Sequence, residues 1–261
     1  QAKSEFISIA SHQLRTPLTV IKGYISMMKE GSFGKVPEVI MENLDKVYIS
    51  NERLITLVED LLNISRIESG RQEFLWKQIN MEDLAKTVVE NLKQTAKRKD
   101  LKLFFHSPGK TTPKVTADEG KIHEVMMNFV DNAIKYTDEG EINVYINYEP
   151  QKEAVTFCVK DTGKGISKDG LQMLFKKFSR GKGSFRAHTE GLGLGLYVAK
   201  MMLDSHQGKI WAESDGEGKG SKFCFSLSTK LTQKELEKVL PGKKFGEKVK
   251  AKKASGVKSG K

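Results

Sequence analysis

Two short glycine-rich segments have the composition of loops that bind phosphate groups. Asp161-Thr162-Gly163-Lys164-Gly165 directly follows a strand-like alternation, and Gly191-Leu192-Gly193-Leu194-Gly195 opens a helical pattern. Glycines let backbone N–H groups approach phosphates closely, and a helix N-terminus adds a partial positive charge. Neither segment is a Walker A loop, and the spacing after Gly193 does not fit a dinucleotide fingerprint. Taken alone, each segment indicates a turn more often than a nucleotide site.

A pair of amide side chains makes a nucleotide site the better hypothesis. Asn128 and Asn132 lie one turn apart in a helical pattern over residues 119–136, and Lys135 and Tyr136 follow them. Two amides on one helix face beside a lysine can hold a magnesium ion and the phosphates that the ion bridges. Buried asparagines with structural partners are the alternative, and without the glycine segments that alternative would be favoured.

One histidine has the position of a nucleophile. His12 is two residues from both Ala10 and Leu14, so it lies about 200° around a helix from these apolar positions. An ordinary imidazole is largely neutral at pH 7 and can attack a γ-phosphate. A lone surface histidine is usually without a role, so this interpretation depends on the nucleotide site. Pro17 removes a helical hydrogen bond and is expected to bend the helix just after His12.

Residues 1–70 predict two long helices that would carry this histidine. Their apolar residues recur at heptad-like spacings, which is typical of a helix that packs against other helices. These positions are Phe6, Ala10, Leu14, Leu18, Ile21, Ile25 and Met28 in the first helix and Ile40, Leu44, Val47, Leu54, Val58 and Leu61 in the second. Gly31 and Gly34 break the first helix, the second begins near Pro37, and Gly70 follows it as a cap. Because two helices cannot enclose a core, we expect the hairpin to dimerise into a four-helix bundle.

From residue 71 onward, strands and helices occur in blocks. Helices are predicted over residues 81–97, 119–136 and 194–205, and strands over 101–106, 141–148, 154–159, 209–214 and 221–228. Blocks without strict alternation indicate an α+β sandwich with helices on one face of a mixed sheet.

Composition restricts the class of protein. Of the 261 residues, 38% are hydrophobic and 30% are charged, which excludes a disordered, collagen-like or membrane-embedded chain. No apolar run approaches the ~18–20 residues that span a bilayer, and no signal-peptide pattern opens the chain. Cys158 and Cys224 are the only cysteines, so no disulfide framework is expected and a reducing, cytoplasmic compartment is predicted.

The net charge of +11 is concentrated at one end of the chain. Residues 241–261 hold eight lysines and one acid, Glu247, which leaves +4 for the residues before them. An end rich in Lys, Gly and Ser is typically disordered, so residues 231–261 are predicted to form a basic, disordered tail. A polyanion-binding tail is the alternative, but Phe245 is its only aromatic residue. We therefore expect no nucleic-acid partner.

Five motifs together resemble those of the two-component sensor histidine kinases, in the order and at the spacings of that family. They are Ser11-His12-Gln13-Leu14-Arg15-Thr16-Pro17-Leu18, Asn128-Phe129-Val130-Asp131-Asn132-Ala133-Ile134-Lys135-Tyr136, Asp161-Thr162-Gly163-Lys164-Gly165, Leu174-Phe175-Lys176-Lys177-Phe178 and Gly191-Leu192-Gly193-Leu194-Gly195-Leu196. The resemblance implies a dimerisation and histidine-phosphotransfer domain at residues 1–70. It also implies a Bergerat-type ATP-binding catalytic domain, of the gyrase, Hsp90 and MutL kind, at residues 71–230.

The resemblance implies roles for single residues as well. Asn128 and Asn132 would bind Mg²⁺, and Lys135 would contact phosphate. Asp161 would accept a hydrogen bond from the adenine amino group. Tyr136 would pack near the base, although a buried core tyrosine is the alternative.

The rest of the implied nucleotide site consists of glycines and a lid. The matching positions are Gly163, Gly165, Phe178, Arg180, Gly191, Leu192, Gly193, Leu194 and Gly195. Residues 179–190 match the nucleotide lid of the family, which we expect to be mobile until phosphate charge orders it. Arg180 is the candidate γ-phosphate contact, with a solvated lid arginine as the alternative.

One position departs from the family pattern. Gln13 stands where the family usually has an acidic residue, and an amide cannot take the imidazole proton as a carboxylate can. Gln13 can still orient His12, so autophosphorylation is expected but its rate is open. Thr16, one turn further along, matches the position that orients water for dephosphorylating a partner; an ordinary exposed threonine is the alternative.

The expected function is that of a sensor histidine kinase core. The resemblance implies a homodimer that uses Mg-ATP to phosphorylate His12 and then phosphorylates an aspartate of a separate response regulator. Any sensor or membrane contact is expected only upstream of these residues. A gyrase- or chaperone-type ATPase is one alternative, and the helical hairpin ahead of the ATP domain argues against it. A nucleotide-binding scaffold with little kinase activity is the other, and Gln13 is its only support.

Overall fold

The predicted helical hairpin is present. The computed structural model describes residues 2–107, 109, 112–177 and 194–239. Helix α1 covers Ala2–Lys29 and continues through Pro17, and α2 covers Glu38–Glu68. Pro37 is the N-cap residue of α2, and Gly70 follows its last turn at φ +66°. Glycine suits that position because residues with a side chain rarely adopt a positive φ.

Polar contacts set the antiparallel register of α1 and α2. Ion pairs join the helices, among them Arg15 with Glu59 at 3.3 Å, Lys22 with Glu52 at 2.9 Å and Lys29 with Asp45 at 2.6 Å. Surface pairs of this kind contribute little stability. Asn51 is buried and donates from Nδ2 to the carbonyl oxygen of Leu18 at 2.8 Å, so it fixes the same register beside Pro17.

A five-stranded mixed sheet forms the second domain. Its strands, in spatial order, are β2 (Lys102–His106), β4 (Glu141–Glu149), β5 (Ala154–Asp161), β7 (Ser221–Ser228) and β6 (Lys209–Glu213). Strands β2 and β4 are parallel, and the other neighbours are antiparallel. A separate antiparallel pair consists of β1 (Trp76–Ile79) and β3 (Val115–Asp118). The helices of this domain are α3 (Met81–Arg98), α4 (Glu119–Tyr136), α5 (Lys168–Met173) and α6 (Gly195–Ser205).

The core lies between one face of this sheet and the helices. Alternate residues of the strands point to that face, as the period of two in a strand requires. Val144 of β4 and Phe157 of β5 are fully buried there, and Phe129 of α4 packs against Phe157 and Phe225 with ring centroids 6.4 and 6.0 Å away. The predicted α+β sandwich is confirmed.

Four short elements escape prediction from the sequence. Strands β1 and β3 have four residues each and pair only after the chain has passed through α3 and β2. Helix α5 has six residues, too few for a periodic pattern to show. The fourth, α7, covers Gln233–Val239.

Helix α7 corrects the prediction of a disordered tail over residues 231–261. The amide and hydroxyl of Thr232 donate to Glu235 Oε2 at 2.9 and 2.8 Å, and this capping pair starts the helix. Leu236 is fully buried. The prediction is wrong for residues 231–239, because a cap and one buried leucine outweigh the lysine-rich composition around them. Residues 240–261 lie outside the described part of the chain.

The two cysteines also differ from what the sequence led us to expect. Antiparallel pairing of β5 with β7 places Cys158 directly opposite Cys224, and they form a disulfide with Cα atoms 4.2 Å apart. The sequence predicts no disulfide framework and does not reveal this single disulfide, because it does not show that these strands are neighbours. The prediction of a reducing compartment, which rested on the cysteines, loses that support. Among the described residues, no helix is both long and apolar enough to cross a membrane.

Candidate nucleotide-binding and phosphotransfer site

Asp161 ends β5, and its carboxylate is held in one orientation. Oδ1 accepts hydrogen bonds from the amides of Gly163 and Ser221 at 2.9 and 3.2 Å. Oδ2 accepts one from the Ser221 hydroxyl at 2.6 Å. Asp161 is only 5% exposed, so these bonds form in a shielded environment. A carboxylate oxygen has two acceptor positions, which leaves Oδ2 able to accept a further hydrogen bond from an exocyclic amine.

Ser221 is a site residue that the sequence does not reveal. It belongs to no motif, and its partner is 60 positions away. The β5–β7 register places the two residues opposite each other. The local signal, a serine that opens an alternating strand, is too common to assign a role.

The glycines of the Asp161 loop are required by close contacts. A Cβ atom on Gly163 would lie 2.4 Å from the carbonyl oxygen of Tyr136 and 2.9 Å from Asp161 Oδ1. Gly165 has φ +65°, and a Cβ there would lie 2.1 Å from the carbonyl oxygen of Gly216. No side chain fits at either place, so this segment is a tightly packed loop rather than an ordinary exposed turn.

Helix α4 brings the two predicted asparagines together. Asn132 donates from Nδ2 to Asn128 Oδ1 at 3.0 Å, and both side chains are half-buried. They therefore form a paired set of amides at the protein surface, not a pair sealed in the core. Amide oxygens are ligands that Mg²⁺ accepts, so this set fits the implied ion.

The N-terminus of α6 lies against the same amides. Helix α6 begins at Gly195, and its N-cap residue Leu194 makes no side-chain capping bond. A Cβ on Gly195 would lie 2.4 Å from Asn128 Nδ2, so the backbone approaches Asn128 closely. A helix N-terminus without a side-chain cap, beside two amides, offers N–H groups to an anion such as phosphate.

Lys135 and Tyr136 end α4 close to the Asp161 loop. The ammonium group of Lys135 lies 5.6 Å from the centroid of the Tyr136 ring. The carbonyl oxygen of Tyr136 accepts a hydrogen bond from the Lys164 amide at 3.0 Å. Tyr136 is 40% exposed, so its ring is not a core residue and can face a bound base.

Part of the predicted site lies outside the described residues. This part comprises Phe178, Arg180, Gly191, Leu192, Gly193, the lid residues 179–190 and the side chain of His12. Leu174 and Phe175, which precede the lid, are half-buried and pack against the core.

The other predicted phosphotransfer residues lie on the hairpin. His12 belongs to α1, between buried Ser11 and exposed Gln13. Thr16, one turn further along, is also exposed. Gln13 and Thr16 are therefore accessible from solvent.

The hairpin packs against the domain that carries the asparagine pair. Asn63 of α2 donates from Nδ2 to Glu124 Oε1 of α4 at 3.2 Å. Ile64 and Ile67 of α2 are buried within the core cluster of the second domain. Glu124 is one turn before Asn128, so α2 contacts the amide-bearing face of α4.

A small cavity of about 30 Å³ lies at this contact. It is lined by Asp60 of α2, Glu124 and Asn128 of α4, and Gly195 of α6. Burial, followed by the charges of Glu124 and Glu59, raises the pKa of Asp60 to about 6. The carboxyl group of Asp60 thus lies near Asn128 and the N-terminus of α6, at a place where negative charge is unfavourable.

Two family models match the chain. The model of the His Kinase A (phospho-acceptor) domain matches residues 2–70. The model of the histidine kinase-, DNA gyrase B- and HSP90-like ATPases matches residues 117–231. The two matches fall on the hairpin and on the domain that carries Asn128 and Asp161.

Curated relatives extend over nearly the whole chain. The sensor histidine kinase WalK of Bacillus subtilis is 32% identical over 239 residues, which are 90% of this chain and 38% of that protein. The non-motile and phage-resistance protein of Caulobacter vibrioides is 31% identical over 240 residues, 90% of this chain and 28% of that protein. The chain therefore spans well under half the length of these relatives.

Solved structures share the arrangement. Full-length ShkA in complex with AMPPNP superposes with a TM-score of 0.69 at 26% identity, covering 85% of this chain and 45% of that one. Histidine kinase ThkA in complex with the response regulator protein TrrA superposes with a TM-score of 0.58 at 25% identity, covering 85% of this chain and 60% of that one.

The motifs, the fold and the similarities agree. A helical hairpin with a histidine in its first helix precedes an ATP-binding sandwich that carries the paired amides on α4 and the glycines of the loop after Asp161. The chain therefore belongs to the two-component sensor histidine kinases, of which it holds the phosphoacceptor and ATP-binding regions.

Proposed function

We propose that this chain transfers the γ-phosphoryl group of ATP to His12. The observation that carries this proposal is the packing of α2 of the phosphoacceptor hairpin against the face of α4 that bears Asn128. In the reaction an imidazole nitrogen forms a bond to the γ-phosphorus, the bond between that phosphorus and the bridging oxygen of ADP breaks, and the imidazole loses a proton. The phosphoryl group then passes to an aspartate of a response regulator, as the family assignment implies.

The chain's own residues supply binding and orientation for this step. Asp161, oriented by Ser221, selects the adenine amino group, because a carboxylate accepts from an amine and would repel the carbonyl of guanine. The exposed ring of Tyr136 packs beside the base. Lys135 contacts the phosphates, and the α6 N-terminus donates N–H groups to them.

Asn128 and Asn132 are the residues that would hold Mg²⁺. Their half-buried, mutually bonded amides and the neighbouring helix N-terminus support this assignment. When bound, Mg²⁺ would reduce the negative charge of the phosphate groups that the nucleophile approaches. Only the resemblance supports the roles of the lid and phosphate-loop residues Phe178, Arg180, Gly191, Leu192 and Gly193.

Two residues near His12 affect where its proton goes and how the phosphoryl group of the regulator is removed. Gln13 orients the imidazole but cannot accept its proton, so water or a phosphate oxygen takes it. Thr16 would orient a water molecule that hydrolyses the acyl phosphate of the partner, which would make the chain a phosphatase as well.

We also propose that the active form is a homodimer. Several seam residues are half-exposed in the single chain, among them Leu14 at 53%, Ile21 at 44%, Ile40 at 50%, Val47 at 50% and Leu54 at 49%. A second copy would bury this apolar seam in a four-helix bundle. The same proposal includes the division into domains at 1–70 and 71–230. It also includes a cytoplasmic location and membrane contact through an upstream segment.

Labelling with γ-³²P-ATP followed by acid treatment tests the function. A histidine kinase yields protein label that acid removes, because a histidine phosphoramidate is acid-labile. A gyrase- or chaperone-type ATPase would release phosphate without labelling itself. A nucleotide-binding scaffold would bind ATP and give neither label nor phosphate, and either result would overturn the proposal.

A further inference from the structure

The nucleotide-binding helix α4 is capped by side chains at both ends. At its N-terminus, Asp118 Oδ1 accepts a hydrogen bond from the Lys121 amide at 3.0 Å. At its C-terminus, Lys99 donates from Nζ to the carbonyl oxygens of Ile134 and Lys135 at 2.9 and 3.2 Å. The first cap comes from the residue before the helix. The second comes from a different helix, 35 positions earlier in the chain.

The local structure at the end of α3 aims Lys99 toward α4. The amide of Asp100 donates to the carbonyl oxygen of Lys97, and that of Leu101 to Ala96, both at 3.0 Å. Asp100 has φ +56°, the left-handed conformation that completes a Schellman motif, and Ala96 and Leu101 are buried. Lys99 is the C-cap residue of this motif, so its backbone position is fixed where the chain turns away from α3.

The turn that Lys99 holds is the one that reaches the nucleotide. Carbonyl groups in the last turn of a helix have no intrahelical partner, and a cation there interacts favourably with them. The same turn carries the side chains of Lys135 and Tyr136. The carbonyl oxygen of Tyr136 in turn accepts the Lys164 amide at 3.0 Å, so the turn also anchors the loop that follows Asp161.

We infer that Lys99 is a positioning residue for nucleotide binding. Its ammonium group holds the last turn of α4, and through that turn it places Lys135, Tyr136 and the loop 161–165 around the nucleotide. This inference rests on the proposed function, because it requires that ATP bind at this end of α4. Lys99 itself is exposed and contacts backbone carbonyls, so it acts through these residues and does not touch the nucleotide.

The test compares Lys99→Met with Lys99→Arg and with Lys97→Met. Methionine keeps the aliphatic chain and removes the charge and the donors, whereas arginine keeps both. Lys97 lies in the last turn of the same helix, and within the described residues it makes no side-chain bond to α4, so Lys97→Met controls for the loss of one positive charge nearby. The dissociation constant of ATP is measured by calorimetric titration, with the melting temperature measured alongside.

We expect Lys99→Met to bind ATP about two- to five-fold more weakly, the factor that corresponds to a cation at a helix C-terminus. Lys99→Arg and Lys97→Met should bind as the wild type does. The KM for ATP in autophosphorylation should rise by the same factor while kcat at saturating ATP stays unchanged. Amide exchange at Lys164 should become faster in Lys99→Met, and exchange at Val159 within β5 should not.

Three results would overturn the inference. Unchanged ATP affinity in Lys99→Met with a lowered melting temperature would make Lys99 a structural residue only. Equal weakening by Lys97→Met would assign the effect to general charge, and equal weakening by Lys99→Arg would exclude the contact between the cation and the carbonyls. Each of these results contradicts the inference while the wild-type chain still binds ATP, whereas a wild-type chain that binds no ATP would contradict the proposed function itself.

Discussion

The hydroxyl of Ser221 donates to Asp161 Oδ2 at 2.6 Å across the ladder between β5 and β7. A residue that belongs to no motif therefore orients the carboxylate that the family motif supplies. Because the amide of Ser221 also donates to Oδ1, the serine holds both oxygens of Asp161. In the proposed function, base selection by Asp161 depends on that orientation.

Ser221→Ala should weaken ATP binding about ten-fold. A hydrogen bond to a charged group contributes about 1.5–3 kcal/mol, and its loss lets the carboxylate turn away from the base. The dissociation constants of ATP and GTP, measured for the wild type and for Ser221→Ala, check this prediction. Ser226→Ala, on the same strand but opposite Thr156, is the matched control and should change neither constant. Equal ATP affinity in Ser221→Ala would show that Asp161 does not need this partner.

His12→Ala should abolish labelling by γ-³²P-ATP and leave ATP affinity nearly unchanged, because nucleophile and nucleotide site lie in separate domains. Asp161→Asn should weaken ATP binding and lose labelling with it, since an amide nitrogen cannot accept from the adenine amine. Filter binding with acid treatment and titration calorimetry give the two readouts. Acid-labile label on the His12→Ala protein would contradict the assignment of the nucleophile.

Leu54→Asp should convert the dimer into a monomer. Leu54 is 49% exposed in the single chain, so the charge costs little in a folded monomer but would be buried without a partner in a four-helix bundle. Sedimentation equilibrium measures the change in mass. Thr56→Asp, at an exposed position two residues away on α2, is the control and should stay dimeric. A wild-type chain that sediments as a stable monomer would rule out the bundle.

Gln13→Glu should accelerate autophosphorylation if proton removal from His12 limits the rate. A well-placed general base contributes roughly ten- to a hundred-fold or more, and exposed Gln13 can take a charge without disturbing the fold. The gain should be larger at pH 6.5 than at pH 8, because a carboxylate is still ionised where fewer imidazoles are neutral. Autophosphorylation time courses at both pH values decide the question. If Gln13→Glu is no faster than the wild type at either pH, the proton leaves by another route.

Asp60→Asn should stabilise the protein, and more so at higher pH. Burial and the neighbouring acids raise the pKa of Asp60 to about 6, above the value of 3.8 of an ordinary aspartate. The folded chain therefore binds this proton more tightly than the unfolded chain. The stability that the protonated group contributes is complete below about pH 4 and is lost as the pH rises through about 6.

The asparagine variant does not titrate, so its advantage should be about 1–3 kcal/mol at pH 8 and about a third of that at pH 4.5. Denaturant unfolding at both pH values measures the difference. Glu42→Gln, which removes an exposed acid of the same helix, should show no comparable dependence on pH. A gain from Asp60→Asn that is the same at both pH values would contradict a titrating Asp60.

Local pattern determined the elements that carry the chemistry. Heptad-like spacing predicted both helices of the hairpin, and a three- and four-residue period predicted α3, α4 and α6 nearly to their ends. The spacing of Asn128 and Asn132 placed two amides on one helix face, because one helical turn is 3.6 residues. These predictions needed no knowledge of neighbours, since each depends on residues within about two turns of one another.

Tertiary structure alone decided what distant residues do to one another. Strand pairing placed Ser221 opposite Asp161 and Cys158 opposite Cys224, and packing of α3 beside α4 placed Lys99 at the C-terminus of α4. Helix α7 lies in a segment that was predicted from its composition to be a disordered tail, and the burial of Leu236 stabilises it. A sequence shows which side chains are available and how they repeat along one element. Contacts across many positions depend on which strands and helices become neighbours, and that follows from the packing of the whole core.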